Sequence, residues 1–519
     1  MSASNRRILR VALDTPLRRL FDYWEPADDA RGPAQPGVRV RVPFGRQRLI
    51  GVVTEVAATS DVPAEKLRAS IEILDAASVL DPPLLRLVSF AANYYHHPIG
   101  EVAAAALPKL AREGASAIDT EERWFVSPDG TAALTSGALR RAAKQSALLA
   151  ALGVDGANAG ELTAGHGNWR PAMRELAARG YVTSAELPMS TAGNVLALAA
   201  SADPHPRSHA IPLRETPPAP SAEQAAAITA IDAALGTFTP FLLHGITGSG
   251  KTEVYLRTIA TVLARGGSAL VLVPEIGLTP QLVGRVAARF DAPLAVFHSG
   301  LTDSERLAAW RRAVSGEARI VIGTRSAVFA PLADLQLVIV DEEHDASFKQ
   351  QDSAFRYSAR DLAIVRASQL GIPIVLGSAT PSLETLHNAA TRDFRELSLP
   401  RRAGQALPPR AATVDLREHA VRNGLATPTV SAIRRHLDDG GQVLVFLNRR
   451  GYAPTLACTA CGWSAPCRDC DAKLNVHLGA NELRCHHCGA REPLATTCPQ
   501  CGYAVKPVGV GTERVEETL

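Results

Sequence analysis

Alternating apolar and polar positions open the chain. RVALD at 10–14 and GVRVRVPFGRQRLIGVVTEV from Gly37 carry the period-two pattern and β-branched content of strands, which predicts a small β-rich module. From Pro82 the period lengthens to that of a helix. LLRLVSFAANYYHHPIGEVAAAAL keeps its apolar residues at helical spacing until Pro98 interrupts it, so a helical connector closes a first domain over 1–114. Two further helical patterns come next, ALRRAAKQSALLAAL and PAMRELAARG, the second running past Gly180 into the strand-like YVTSAEL. Helices ahead of a short strand hairpin predict a winged-helix-like domain over 115–202, a pattern that other small α+β domains share.

A proline-rich stretch without apolar periodicity, DPHPRSHAIPLRETPPAP, marks a linker over 203–220. Beyond it ALVLVPE, RIVIGT, LQLVIVDE and IPIVLGS alternate with helical stretches. Strands so continuously apolar are buried on both faces, which predicts a multidomain α/β protein with a parallel-sheet, RecA-like nucleotide-binding lobe over 221–431. QVLVFLN at 442–448 predicts the first strand of a second such lobe, over 432–457 and 502–519, into which a cysteine-rich module at 458–501 is inserted.

Composition adds bounds. The chain has 519 residues, 46% hydrophobic and 21% charged, in the range of multidomain globular proteins. The net charge of +3 from 55 basic and 52 acidic residues is too balanced to argue for a nucleic-acid partner, so that case rests on motifs. No apolar run reaches membrane-spanning length and the N-terminus lacks a signal-peptide pattern, so a cytoplasmic protein with no membrane partner is expected.

The chemistry begins at FLLHGITGSGKTEVY. Gly245, Gly248, Gly250, Lys251 and Thr252 form a phosphate-binding loop after an apolar strand and before a helix. Glycines let backbone N–H groups turn toward phosphates, Lys251 supplies a point charge, and Thr252 offers a hydroxyl to Mg²⁺. LQLVIVDEEHD then supplies the carboxylates such a site needs: Asp341 as the Mg²⁺ ligand, Glu342 as the base that polarises water, and His344 as a reporter of nucleotide state. ATP and Mg²⁺ are the expected ligands. GSATPS at 377–382 follows another buried strand, where superfamily 2 helicases place a turn that couples hydrolysis to DNA movement.

All eight cysteines lie in four CxxC pairs: Cys458/Cys461, Cys467/Cys470, Cys485/Cys488 and Cys498/Cys501. Each pair can place two thiolates on one tetrahedral ion, so two structural Zn²⁺ are expected. The gap from Cys470 to Cys488 resembles one zinc ribbon, which leaves the outer pairs to each other; sequential pairing of neighbours fits the spacing as well.

Taken in order, GITGSGKTEVY, LVPEIGLTPQ, FHSGLTDSER, GTRSAVFAPL, VDEEHDASFKQQD, GSATPS and FLNRRGYAP resemble the motifs of the PriA family of replication restart helicases over essentially the whole chain. The resemblance implies a DNA-dependent ATPase and 3′→5′ helicase that recognises stalled or abandoned replication forks and starts primosome assembly. Its implied partners are forked and single-stranded DNA, single-stranded DNA-binding protein and the primosome proteins PriB, DnaT and the replicative helicase loader, with a nucleoid-associated location. It also implies residue roles. Gln224 would read adenine, and Arg325 would contact a phosphate, a place where a surface salt bridge fits nearly as well. Phe348, Phe355 and Tyr357 would form a DNA-sensing aromatic loop, and aromatics so dense in a polar stretch are expected outside the core. At the N-terminus, Phe21, Asp22, Tyr23, Gly45 and Arg68 match a pocket for a nascent 3′ end, where a carboxylate accepts a hydrogen bond from a 3′-OH and repels a phosphate; without the family, FDYW reads as a strand with packed aromatics. The family's zinc pattern nests Cys467, Cys470, Cys485 and Cys488 inside Cys458, Cys461, Cys498 and Cys501.

The later helicase motifs of that family have no counterpart here. The expectation is therefore a C-terminally shortened helicase that hydrolyses ATP poorly, with a non-catalytic fork-binding scaffold as the competing reading.

Overall fold

A computed structural model describes residues 7–508 except 28–30, 119, 141, 154–155, 189–216, 276–279, 352–354, 392–393, 404–409, 416–417, 423, 447–454, 459 and 478–479. Most of the linker, the centre of LVPEIGLTPQ and most of FLNRRGYAP lie outside the described residues. The chain divides into two compact units, 1–406 and 407–519.

The first unit opens with an antiparallel sheet of β1 (Ile8–Leu13), β2 (Phe21–Trp24), β3 (Arg39–Phe44), β4 (Gln47–Ala57) and β5 (Glu72–Ile73), in the order β2-β1-β4-β3-β5. Leu9, Val11, Leu13, Val40, Val42 and Val53 fill its core, as the alternation predicts. The connector forms α1 (Pro82–Tyr94) and α2 (Ile99–Ala105), broken by Pro98 as expected. Asp81 caps α1 by accepting from Leu84 N–H at 2.9 Å.

The sheet does not stand apart from the rest of its unit. Arg39, fully buried, donates from Nε and Nη2 to Asp75 at 2.9 and 2.7 Å and from Nη1 to the carbonyls of Ala111 and Ala115. A buried guanidinium with every nitrogen occupied fixes the sheet to the chain beyond the connector, and removing one partner of such a pair costs about 3–5 kcal/mol. One continuous apolar core runs from Ala12 and Val52 through Leu84 and Leu87 to Leu362 and Ile374 of the nucleotide-binding lobe. The N-terminal sheet and the nucleotide-binding lobe thus share one apolar core.

Residues 120–188 keep their own core around Leu148, Leu149, Trp169, Met173 and Leu176. Strand β6 (Thr120–Val126) lies between β7 (Ala157–Asn158) and β8 (Val182–Pro188), with α3 (Lys109–Arg112) ahead and α4 (Pro128–Thr135), α5 (Ala143–Ala151), α6 (Ala159–His166) and α7 (Arg170–Ala178) between the strands. Where a local hairpin was expected, β8 pairs back with β6 along its whole length.

After α8 (Ala222–Ala233), seven parallel strands form the lobe: β9 (Pro240–Gly245), β10 (Ser268–Leu272), β11 (Leu294–Phe297), β12 (Ile320–Gly323), β13 (Leu335–Asp341), β14 (Ile374–Ser378) and β15 (Arg395–Leu399). Their order is β11-β12-β10-β13-β14-β9-β15. The connecting helices α9 (Lys251–Ala264), α10 (Pro280–Arg289), α11 (Asp303–Val314), α12 (Ala359–Leu370) and α13 (Leu383–Thr391) supply the crossovers. The order puts β13 and β9 on either side of β14, so the carboxylate motif, the Ser-Ala-Thr turn and the phosphate loop emerge side by side at the C-terminal edge. The first unit ends near 406, so 407–431, expected in this lobe, group with the second unit.

The second unit contains α14 (Thr427–Asp438) and, among its described residues, three small antiparallel sheets, the first a pairing of Val421–Arg422 with Leu425–Ala426. Thr455–Cys458 pairs with Val505–Val508, and Asn475–His477, Glu482–Arg484 and Arg491–Pro493 form a three-stranded sheet. The strand expected at 442–448 does not form among its described residues, 442–446, where Leu444 is 92% and Phe446 80% exposed. A strand needs a hydrogen-bonding neighbour, and no described segment pairs with this one.

Candidate functional site

The phosphate loop leaves β9 at Gly245 and enters α9 at Lys251. Gly248 and Gly250 hold φ of 80° and 84°, which a side chain resists, and a Cβ on Gly250 would lie 2.2 Å from Gln224 Nε2. Lys251 Nζ donates to Gly245 O at 3.1 Å and stands 3.6 Å from Glu342 Oε1. Thr247, Gly248, Lys251, Thr252, Arg285, Arg289, Asp341 and Glu342 face one cavity of ≈ 870 Å³, large enough for a nucleoside triphosphate. Arg285 and Arg289 came with no motif. Arg289 is held by Glu253 through Nη1 and Nη2 at 3.1 and 2.8 Å.

Asp341 accepts from the Tyr255 hydroxyl at 2.9 Å. Burial pushes the Asp341 carboxyl above its ordinary range, with Glu342 adding to the shift while the Tyr255 bond and Lys251 oppose it. A carboxylate so poorly solvated beside a phosphate loop fits a divalent cation, and the Thr252 hydroxyl lines the same cavity.

Glu342 occupies the left-handed region at φ 47°, a conformation that costs on the order of 1–3 kcal/mol. The next residue holds it there. Glu343, 1% exposed, accepts from Ser382 N–H at 2.7 Å, Ser382 Oγ at 3.0 Å, Thr385 Oγ1 at 2.8 Å and Arg360 Nη1 at 3.1 Å. His344 Nδ1 lies 2.8 Å from Ser378 Oγ, and its Nε2 lies 3.5 Å from Thr380 Oγ1. The carboxylate motif and the Ser-Ala-Thr turn are therefore one hydrogen-bonded assembly, with Glu343 its buried centre.

Gln224 completes a capping box at the start of α8 and donates from Nε2 to Ser249 O at 2.9 Å, so its amide is committed to the phosphate loop. Arg325 pairs with Glu275 at 3.1 Å, the salt-bridge alternative. The aromatic loop departs from expectation. Phe348, Phe355 and Tyr357 are 2, 5 and 6% exposed. Phe355 lies 5.1 Å from the His97 ring, 6.0 Å from Tyr95 and 4.7 Å from Tyr357, and Ser358 N–H donates to Tyr95 Oη at 3.1 Å. The polar residues around these aromatics hide a packing surface for the connector, which sequence spacing cannot show.

A second cleft of ≈ 740 Å³ opens on the N-terminal sheet and brings together all five residues expected there: Phe21, Asp22, Tyr23, Gly45 and Arg68. Phe21 meets Phe44 edge to face at 5.3 Å, with the Arg19 guanidinium 4.9 Å from its ring. Tyr23 is mostly core, 6% exposed, with its hydroxyl on Pro43 O at 3.2 Å. Arg10, Arg19 and Lys66 also line this cleft, and no motif in the sequence points to them.

In the second unit, one sulfur from each of Cys458, Cys461, Cys498 and Cys501 converges within 4.8 Å, and so do those of Cys467, Cys470, Cys485 and Cys488. The nested pairing holds and the sequential one does not. Sulfur pairs stand at 3.5–3.6 Å, close to the ~3.8 Å that a tetrahedral ion with Zn–S bonds of about 2.3 Å sets. Within each set the thiols influence one another: backbone N–H groups, chiefly those of Cys461 and Cys488, draw Cys458 and Cys485 down, while neighbouring sulfurs and burial push Cys461, Cys470, Cys488 and Cys501 up, the mutual influence of four sulfurs crowded at one point.

Fold and site together define a P-loop helicase lobe of superfamily 2 type, packed with an N-terminal cleft-bearing sheet and accompanied by a module of two four-cysteine clusters. Known proteins resemble each part. Family models match at 10–108 (3'DNA-binding domain), 221–389 (DEAD/DEAH box helicase) and 467–493 (PriA DNA helicase Cys-rich region). The Replication restart protein PriA of Haemophilus influenzae is 43% identical over 516 residues, 99% of this chain and 68% of that protein. Its namesake in Bacillus subtilis is 33% identical over 96% of this chain and 69% of that one. The chain belongs to the PriA family of replication restart proteins. No helix among the described residues is long and apolar enough to cross a membrane.

Proposed function

We propose that this protein is an ATP-driven 3′→5′ DNA helicase that engages stalled or abandoned forks through a nascent 3′ end and initiates primosome assembly. The observation that carries the reading is the cleft around Asp22 and the cavity around Lys251 occurring within one continuously packed unit. Backbone N–H groups of 247–250 and the Lys251 ammonium would hold the phosphates, Thr252 and Asp341 the cation, and Glu342 would orient the attacking water. Mg²⁺, when bound, supplies charge neutralisation between the phosphates and Asp341. The assembly of Glu343, His344 and Ser378 would carry the change at the γ-phosphate into the lobe. Single-stranded DNA-binding protein and the primosome proteins PriB, DnaT and the replicative helicase loader are the proposed protein partners, at the nucleoid of the cytoplasm.

The scaffold reading draws support from the exposed segment 442–446, which pairs with no strand among the described residues. In that second reading the chain binds nucleotide and DNA without turnover coupled to DNA. ATPase rates with forked, single-stranded and no DNA, run beside Lys251→Ala, test the proposal. Stimulation by DNA that vanishes in the variant supports it; equal rates in all lanes remove the helicase reading.

A further inference from the structure

Asp22 sits on the edge strand β2, opposite Arg10 of β1, which in turn lies opposite Glu55 of β4. Arg10 is engaged mainly by Glu55, at 2.8 Å from Nη1, while its Nε stays 4.0 Å from Asp22 Oδ1. The other carboxylate oxygen, Oδ2, accepts the hydroxyl of Ser60, which lies in the loop after β4. Ser60 Oγ also accepts Val62 N–H at 3.0 Å. A hydroxyl carries one hydrogen, and with Val62 occupying a lone pair that hydrogen is aimed at Asp22.

The terminal torsion of an aspartate is broad and roughly two-fold, so a carboxylate in a cleft that also holds Arg10, Arg19, Lys66 and Arg68 has several cations to turn toward. Ser60 removes that freedom. With Oδ2 tied to Ser60 and Oδ1 beyond hydrogen-bond distance of Arg10, the lone pairs of Oδ1 remain available to an incoming donor. We infer that Ser60 is a positioning residue for recognition of the DNA 3′-hydroxyl: it holds Asp22 with one oxygen presented to the ligand. Ser60 is not among the residues lining the cleft, so it acts through Asp22. The inference rests on the 3′-end reading of this cleft.

The test is binding of the full chain, by fluorescence anisotropy, to one single-stranded oligonucleotide made with a 3′-hydroxyl, a 3′-deoxy or a 3′-phosphate end. The wild-type protein should prefer the hydroxyl over the deoxy end, and Asp22→Ala should not. Ser60→Ala should reduce that preference by about tenfold, the worth of one hydrogen bond to a charged group, with affinity for the deoxy end unchanged. Ser60→Thr, which keeps the hydroxyl, should restore it. Loss of affinity for all three ends alike in Ser60→Ala, or an unaltered preference, overturns the role of Ser60 while the 3′-end reading survives. No preference in the wild type overturns that reading and this inference with it.

Discussion

Tyr255, on α9, donates its hydroxyl to Asp341 Oδ1 at 2.9 Å, tying the helix of the phosphate loop to the strand of the carboxylate motif. The contact leaves no room beside it, since a Cβ on Gly377 would fall 1.6 Å from the Tyr255 oxygen. It also leaves a poorly solvated charge. With its pKa raised in the folded state, Asp341 favours folding below the unfolded carboxylate pKa, and that contribution is lost as pH rises through the folded value, so at neutral pH the ionised group destabilises the empty site. Asp341→Asn, which keeps the acceptor for Tyr255, should raise stability without nucleotide by ~0.5–2 kcal/mol while abolishing Mg²⁺-dependent hydrolysis. Thermal melts without ligand, paired with ATPase assays, check this, and the gap in melting temperature should narrow toward acid pH.

Phe355→Ala should behave as a core deletion. Its ring packs among Tyr95, His97, Phe329 and Tyr357. Urea denaturation is expected to show a loss of about 3–5 kcal/mol. A solvent-facing stacking residue would leave the midpoint in place and weaken only DNA binding.

Lys66 shares the cleft with Arg68 and contributes a cation suited to a backbone phosphate. Lys66→Ala should weaken binding to 3′-ended strands of every sequence alike and lower the slope of log affinity against log salt by about one. Titrations at a series of salt concentrations give that slope.

The cysteine module should lose metal one site at a time. The native protein is expected to hold two zinc ions, and Cys470→Ser should release one and disorder the 467–488 ribbon. Binding of a fluorescent ATP analogue should persist, because the phosphate loop belongs to the other compact unit. Metal analysis and nucleotide titration of the same sample check both halves.

Local chemistry was readable wherever a motif carries its own geometry. GITGSGKT needs only a strand, glycines with positive φ and a helix start, and all of these are local. Each CxxC closes its own knuckle, so eight ligands were evident, while the choice of partners waited for the fold to bring residues 458–461 to 498–501. The aromatic loop misled for the opposite reason. SFKQQDSAFRY looks solvent-facing by composition, and its buried side was supplied by Tyr95 and His97, about 260 positions earlier.

By itself the amino-acid sequence determined the parallel lobe, the phosphate loop with its neighbouring carboxylates, the four CxxC pairs and the family. Only the tertiary structure decided that the N-terminal sheet shares a core with the lobe and that Glu343 is the buried centre of a hydrogen-bonded assembly with Ser382 and Thr385. It also decided that Ser60 stands behind Asp22, that Lys66 lines the same cleft and that 442–446 pairs with no strand among the described residues. The division follows from range: backbone turns and knuckles depend on neighbours a few residues away, whereas burial, counter-charges and strand pairing depend on which distant segments fold against them.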